Sequence, residues 1–277
     1  MWRGLGLGAS PPGLWVNAGF AAPFQELCLE AEIPLWCMMA PMVLDVHAAA
    51  DFYATAQGIV AARLIRERVT RLWPDMTGLA VLGLGYAPPY LRFWREDARL
   101  AVALTPAHLG AARWPMGVAN LTCMAEEDAL PFAGPVFDRV LLIHGLESAE
   151  NVRRMLREIW RVMKDDGRLL VVAPNRRGMW AYFEHTPFGH GTPYSPGQVG
   201  RLLAGSLFRV EKRETALFLP PTAMRLVLRS NRLWERVGHW AMPQCAGVTL
   251  TEAVKDVYSA IPTNMTPSRR FVLAEAP

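Results

Sequence analysis

The sequence predicts an α/β fold, a mostly parallel sheet flanked by helices, and three observations predict it. An apolar run of strand length, Leu79 to Leu82, meets Gly83 and Gly85 and then the pair Pro88-Pro89. Further apolar runs then alternate with stretches of helical period, the order that βα units require. One of them, Leu169 to Ala173, is apolar without a break, as expected of a strand covered on both faces. Strand, glycine turn and helix start in succession is how such folds seat a nucleotide-like ligand beyond the first strand. Pro88 and Pro89 suit that helix start, where a missing N–H costs nothing.

Residues 1–41 stand apart. Gly4, Gly6, Gly8, Gly13 and Gly19 alternate with Pro11, Pro12, Pro23, Pro34 and Pro41, and Arg3 is the only basic side chain. Helical period is absent, and Pro11-Pro12 breaks the apolar stretch a signal peptide needs. The segment is read as a poorly ordered extension, with Met39 or Met42 as alternative starts. The domain proper is placed at 42–255, with lid or insert regions at 175–196 and 220–245 and a tail at 256–277.

A cover helix is expected from Val46 to Pro74, with Phe52, Ile59, Val60, Leu64, Val69 and Leu72 at helical spacing and Gly58 bending or splitting it. Strands follow at Leu79–Leu82, Leu100–Leu104, Ala119–Met124 and Arg139–Ile143, with a short helix at Pro88–Arg95. The strongest helical pattern runs from Ala149 to Lys164: Val152, Met155, Leu156, Ile159, Trp160 and Met163 form one stripe. Ser148 is the expected N-cap, and Asp165-Asp166-Gly167 the stop. Past Leu169–Ala173, the stretch Asn175–Pro196 is rich in glycine, proline and aromatics and too long for a plain connector. A helix at Gly197–Ala204, a strand at Phe208–Phe218, a basic amphipathic helix at Thr222–Trp240 and a strand at Val248–Val254 complete the sheet.

Composition sets outer bounds. In 277 residues, 52% hydrophobic side chains suffice for a sizeable core. A formal charge of +4 is mild, and the arginine groups Arg63, Arg66, Arg68, Arg71 and Arg153, Arg154, Arg157, Arg161 read as solvated helix faces. Cys28, Cys37, Cys123 and Cys245 have no zinc-ligand or CxxC spacing, so free thiols in a reducing cytoplasm are expected. No run of eighteen residues is apolar and free of proline or charge, so no membrane span is expected. Nothing resembling an RNA-binding module accompanies the basic helix, and nucleic acid is not the expected partner.

Three ligands compete for the glycine turn. A P-loop needs a GKS or GKT after the glycines, and none follows. A dinucleotide needs a third small residue so that the helix can approach the pyrophosphate, and that position is Pro88. S-adenosylmethionine has no pyrophosphate and needs only the turn.

Three motifs in order then carry a resemblance. They are Val81-Leu-Gly-Leu-Gly-Tyr-Ala87; Glu126-Glu-Asp-Ala-Leu-Pro-Phe132 followed by Phe137-Asp-Arg-Val140; and Leu156 to Leu170 with its Arg161-Val-Met-Lys-Asp-Asp-Gly167 core. Together they resemble the class I S-adenosylmethionine-dependent methyltransferases of type 11, with a Rossmann-like fold. The resemblance implies that Gly83, Gly85, Tyr86 and Ala87 lie along the methionine part of the cofactor. It places Thr105 and Pro106 at the ribose, Met124 and Ala125 beside the adenine, Glu126 at the adenine amino group, and His144 facing the sulfonium or the substrate. At Thr105 the family normally has an acid gripping both ribose hydroxyls; a neutral hydroxyl there gives up on the order of 1–3 kcal/mol.

Methyl transfer is in-line displacement at a sulfonium carbon, so positioning supplies much of the catalysis. An oxygen or nitrogen acceptor also needs a base. Side chains beyond the strand ends are the candidates: His144, Asn175 and His190 first, then Glu147, His185 and Tyr194. Glu184, His185 and His190 have no defensible metal-ligand spacing, and no metal is expected. Trp180, Tyr182, Phe183 and Phe188 suit a planar or apolar small-molecule acceptor, or simply pack the loop onto the sheet. The expected activity is methylation of an unidentified small molecule; the alternative is a methyltransferase-fold protein that has lost chemistry and serves in binding or regulation. The sequence leaves the oligomeric state open.

Overall fold

A computed structural model describes residues 45–110, 114–115 and 121–257. The Gly/Pro-rich segment 1–41 and nearly all of the tail expected at 256–277 lie outside the described residues. Seven strands form one sheet in the order β3-β2-β1-β4-β5-β7-β6. They are β1 (Ala80–Gly85), β2 (Leu100–Pro106), β3 (Thr122–Ala125), β4 (Phe137–Ile143), β5 (Met163–Pro174), β6 (Phe208–Ala216) and β7 (Val248–Lys255). β1 to β5 run parallel, and β7 pairs antiparallel with both β5 and β6. The chain starts in the middle at β1 and winds outward both ways, which puts a topological switch point at the carboxyl ends of β1 and β4.

Alternation along the central strands sends side chains to two apolar layers. Leu82, Leu84, Val102, Leu104, Val140, Leu142, Leu169 and Val171 face one layer. It is closed by α4 (Val152–Val162) through Met155, Leu156 and Ile159, and by α5 (Pro196–Ala204) through Val199 and Leu203. Val81, Ala101, Ala103, Leu141, Ile143, Leu170 and Val172 face the other. That layer is closed by α1 (Asp45–Ala54), α2 (Ala56–Leu72) and the short α3 (Pro88–Leu91). With both faces covered, the parallel strands can be apolar throughout.

Several boundaries differ from expectation for identifiable reasons. The cover helix breaks at Thr55, three residues before Gly58, because Thr55 caps α2 by accepting the Gly58 N–H at 3.0 Å. Gly58 matters in another way, since a Cβ there would lie 2.0 Å from the Phe52 carbonyl oxygen. The cap of α4 is Asn151, whose side chain accepts the Arg154 N–H at 3.2 Å. Ser148 is used elsewhere: its hydroxyl donates to the His144 carbonyl at 2.8 Å. Lys164 belongs to β5 and pairs with Asp138 at 2.8 Å, while the other Asp138 oxygen accepts the Ala80 N–H. Asp138 thereby ties the start of β1 to β4.

The single helix expected at Thr222–Trp240 is two, α6 (Arg225–Arg229) and α7 (Asn231–Ala241). Ser230 and Asn231 separate them because both side chains bond back to carbonyls of α6, Leu226 and Leu228. Cys245 is a free, exposed thiol. Cys123 is disulfide-bonded, which corrects the expectation of free thiols. No helix among the described residues is long and apolar enough to cross a membrane.

Candidate functional site

A cavity of about 490 Å³ opens above the carboxyl ends of β1, β2 and β4. The turn that closes β1 brings Tyr86 to its wall, while Gly83 and Gly85 themselves do not line it. Gly85 has φ of +89°, and a Cβ there would lie 2.1 Å from the Ile143 carbonyl oxygen. That approach lets the Tyr86 N–H donate to Ile143 O at 2.9 Å, so the ends of β1 and β4 are pinned together. Gly83 serves a different neighbour: a Cβ there would meet Ala87 Cβ at 2.4 Å and Leu91 Cδ1 at 2.7 Å. Its bare backbone lets α3 settle on the strand.

His144 follows β4 with φ of +54°, a left-handed conformation that costs a non-glycine residue roughly 1–2 kcal/mol. Three contacts hold it there. The Ser148 hydroxyl takes its carbonyl, Glu147 Oε1 lies 3.2 Å from Nδ1, and the Tyr53 hydroxyl lies 2.7 Å from Nε2. A carboxylate oxygen only accepts, so Nδ1 carries the proton and donates to Glu147. When the ring is neutral, Nε2 accepts the Tyr53 proton, and the Tyr53 oxygen accepts from Tyr90 at 3.0 Å. The result is a buried relay, Tyr90 to Tyr53 to His144 to Glu147, with its imidazole and carboxylate on the cavity wall. The second Glu147 oxygen is buried and has no hydrogen-bond partner among the described residues.

Burial pushes the Tyr53 phenol well above its ordinary pKa, with the neighbouring Tyr90 adding to the effect. Burial raises Tyr90 too, and carries Tyr86 to about 12 with a smaller push from Asp51. All three phenols therefore keep their protons at neutral pH. Tyr86 stacks on Tyr53 at 5.6 Å between ring centroids.

The opposite wall comes from the stretch after β5. Its Trp180 is fully buried and donates to Leu219 O at 2.8 Å, and Phe188 packs edge-on against it at 5.3 Å. Tyr182 and Phe183 are exposed instead. Anchored this way, the stretch presents Glu184, His185, Thr186, Pro187 and His190 to the cavity.

Of the residues singled out in the sequence, Tyr86, Thr105, His144, Glu147, Glu184, His185 and His190 line this cavity. Ala87 is buried under α3, and Pro106, Met124 and Ala125 lie in the paired ends of β2 and β3. Glu126 is exposed and does not line the cavity. The buried acid of that run is Glu127, which accepts the Asn151 N–H at 2.9 Å and so anchors the start of α4. Asn175 is buried away from the cavity, its amide donating to Gln244 O and Ala246 O, each at 2.9 Å. Tyr194 bridges to Asn175 and lies outside the cavity as well. Sequence reasoning missed Tyr53 and Tyr90, whose partners are far along the chain. Among the described residues no group of three His, Cys, Asp or Glu side chains converges as a metal site.

The donor set suits S-adenosylmethionine in part. The unpartnered Glu147 oxygen and the Tyr86 face are the groups a sulfonium or ammonium seeks. Thr105 is 3% exposed and spends its hydroxyl on Gly85 O at a long 3.5 Å, leaving it able to turn to a ribose.

Comparison with known proteins agrees. Residues 69–171 match the family model described as a methyltransferase domain. A search of curated proteins finds no match. Among solved structures, an S-adenosylmethionine-dependent methyltransferase of Thermotoga maritima, described as a possible histamine N-methyltransferase, aligns over 76% of this chain and 96% of its own. The identity is 15% and the TM-score 0.53. An S-adenosylmethionine-dependent methyltransferase of Aquifex aeolicus aligns over 76% of this chain and all of its own, at 14% identity and a TM-score of 0.50. At such identities the structural likeness speaks for the fold, and the family match for the domain. Residues 69–171 thus match a methyltransferase domain, set in the fold that these S-adenosylmethionine-dependent methyltransferases share.

Proposed function

We propose that the domain methylates a small molecule held in the cavity beyond β1, β2 and β4, with the Tyr53–His144–Glu147 relay as its proton acceptor. The observation that carries this reading is the placement of a buried, carboxylate-oriented imidazole on the wall of a ligand-sized cavity at the switch point. Bound there, S-adenosylmethionine would supply an electrophilic methyl on a sulfonium. Thr105 would face its ribose, and the free Glu147 oxygen and the Tyr86 ring would face its positive charge.

Glu147 fixes the imidazole so that Nε2 stays an acceptor. An acceptor hydroxyl or amine that gives its proton to Nε2 takes the place of the Tyr53 donor. Glu147 then stabilises the imidazolium that forms. His190 lines the same space and is the second candidate to orient the acceptor. The functional unit in this reading is 42–255, with 175–196 and 220–245 as inserts.

Thermal denaturation and calorimetry with S-adenosylhomocysteine test the proposal. Saturable stabilisation of the protein is expected, with none from NAD. Ala49 lines the cavity from α1, and Ala49→Trp should fill it, abolishing the ligand-induced shift while the ligand-free protein still unfolds cooperatively. Absence of any shift at millimolar S-adenosylhomocysteine would overturn the reading.

A further inference from the structure

The helix α7 is built inside out. A helix on a globular protein turns its apolar stripe inward and its polar face to water. Here the buried positions are Asn231, Glu235 and Gly238, while Leu233, Trp234, Val237 and Trp240 are exposed. Trp240 is 86% exposed and Leu233 60%. The polar inner face is specifically held: Glu235 accepts the Phe218 N–H at 2.7 Å and pairs with Arg68 at 3.4 Å. Gly238 lets the helix lie against Phe218, where a Cβ would be 2.4 Å from that side chain. The outward apolar face is therefore part of a fixed packing, and Met224, Leu226 of α6 and Met242 are exposed along the same strap.

Charge says what covers it. Arg225, Arg229, Arg232 and Arg236 are all exposed along the same strap, and Glu235, its only acid, is buried. Tryptophan, leucine and methionine beside arginine, with no exposed carboxylate, is the composition of helices that lie in a bilayer interface. A second copy would bring the same four arginines together across a two-fold contact. We propose that the strap formed by α6 and α7 is a docking face for an anionic lipid surface, holding the protein at a membrane without crossing it. Just past α7, Gln244 Oε1 accepts from Arg177 at 2.9 Å, so the chain leaving the strap is joined to the stretch that walls the cavity.

Flotation with vesicles decides the matter. The full chain should bind vesicles of equimolar phosphatidylcholine and phosphatidylglycerol, ignore phosphatidylcholine alone, and be released by salt. Arg232→Gln with Arg236→Gln should weaken binding about thirtyfold, at ~1 kcal/mol per basic residue. Trp234→Ser with Trp240→Ser should reduce it at least as much, and neither pair should lower the melting temperature. The wild-type lipid and salt dependence is decisive even where a variant fails to fold. Failure of the wild type to bind the anionic vesicles at low salt would overturn the proposal. So would a dimer by light scattering that Trp240→Glu dissociates, or preferential retention on duplex DNA.

Discussion

The helices α4 and α7 are each eleven residues long and amphipathic, yet they are used in opposite senses. α4 buries Met155, Leu156, Ile159 and Val162 against the sheet and turns Arg153, Arg154 and Arg157 outward. α7 buries Asn231, Glu235 and Gly238 and turns its leucine, valine and tryptophans to solvent. The same periodicity therefore carries different information in the two places. In α4 it specifies folding, and the helix sits where its pattern points. In α7 the attachment is made by hydrogen bonds and a close backbone approach, which leaves the apolar stripe for something other than the core.

The sharpest break of the comparison is a pair of truncations. Ile159→Ala removes a fully buried side chain from the α4 interface and should cost ~2–5 kcal/mol. Val237→Ala on α7, where the side chain is 48% exposed, should change stability by no more than ~0.5 kcal/mol. Urea midpoints at constant slope measure both. Equal losses would mean that α7 is held by its apolar face after all.

Next in size is the polar anchor of α7. Glu235→Ala leaves the Phe218 N–H and Arg68 without their acceptor, and ~1–3 kcal/mol of destabilisation is expected, with Glu235→Gln restoring part of it. The two buried carboxylates also oppose each other in pH dependence. Burial raises the Glu235 pKa against the lowering pull of the Phe218 N–H and Arg68. Its contribution is thus fully present below the ordinary glutamate value and is lost as pH rises through the folded value. Asp138 goes the other way: burial works against its charge, but the Lys164 ammonium and the Ala80 N–H hold it below the ordinary aspartate value. Its contribution is present above the unfolded pKa and is lost as pH falls through the folded one. Asp138→Asn should accordingly flatten the acid limb of urea stability, and Glu235→Gln the loss just above the carboxylate range.

How much of this was legible follows the same division. The strand cores at 79–82, 100–104, 139–143 and 169–173 read directly, because strands buried on both faces leave apolar runs. Their carboxyl ends did not, because Gly83 and Gly85 look like a turn yet stay paired with Ala103 and Ile143. Residues at or just past a strand end, Tyr86, Thr105, His144 and Glu147, were visible as candidates, since that position is local. Tyr53 was not, because its bond to His144 spans 91 residues and nothing in its own helix marks it. Within Glu126-Glu127-Asp128 the buried member could not be told from its neighbours; it depends on where Asn151 falls. Asn175 has the chemistry of a site residue, but two carbonyls of the segment before β7 saturate its amide. For α7 the stripe was plain and its direction was hidden, because an amphipathic pattern does not say which side faces the protein.

The smallest effect tests the start of α4, where two hydroxyl- or amide-bearing residues compete for the cap. Asn151→Ala removes the acceptor of the Arg154 N–H and should cost about 1 kcal/mol of global stability. Ser148→Ala leaves that cap intact and instead frees the His144 carbonyl from one of the contacts that hold a left-handed residue in place. Its stability cost should be smaller. Its effect should appear at the cavity, as weaker stabilisation by S-adenosylhomocysteine and a shifted His144 ring resonance. A full cap-sized loss at Ser148 with no change at His144 would return the cap to Ser148 and sever the turn from the relay. The opposite pattern would show that the same short connection both starts the best-packed helix of the fold and aims the imidazole that follows β4.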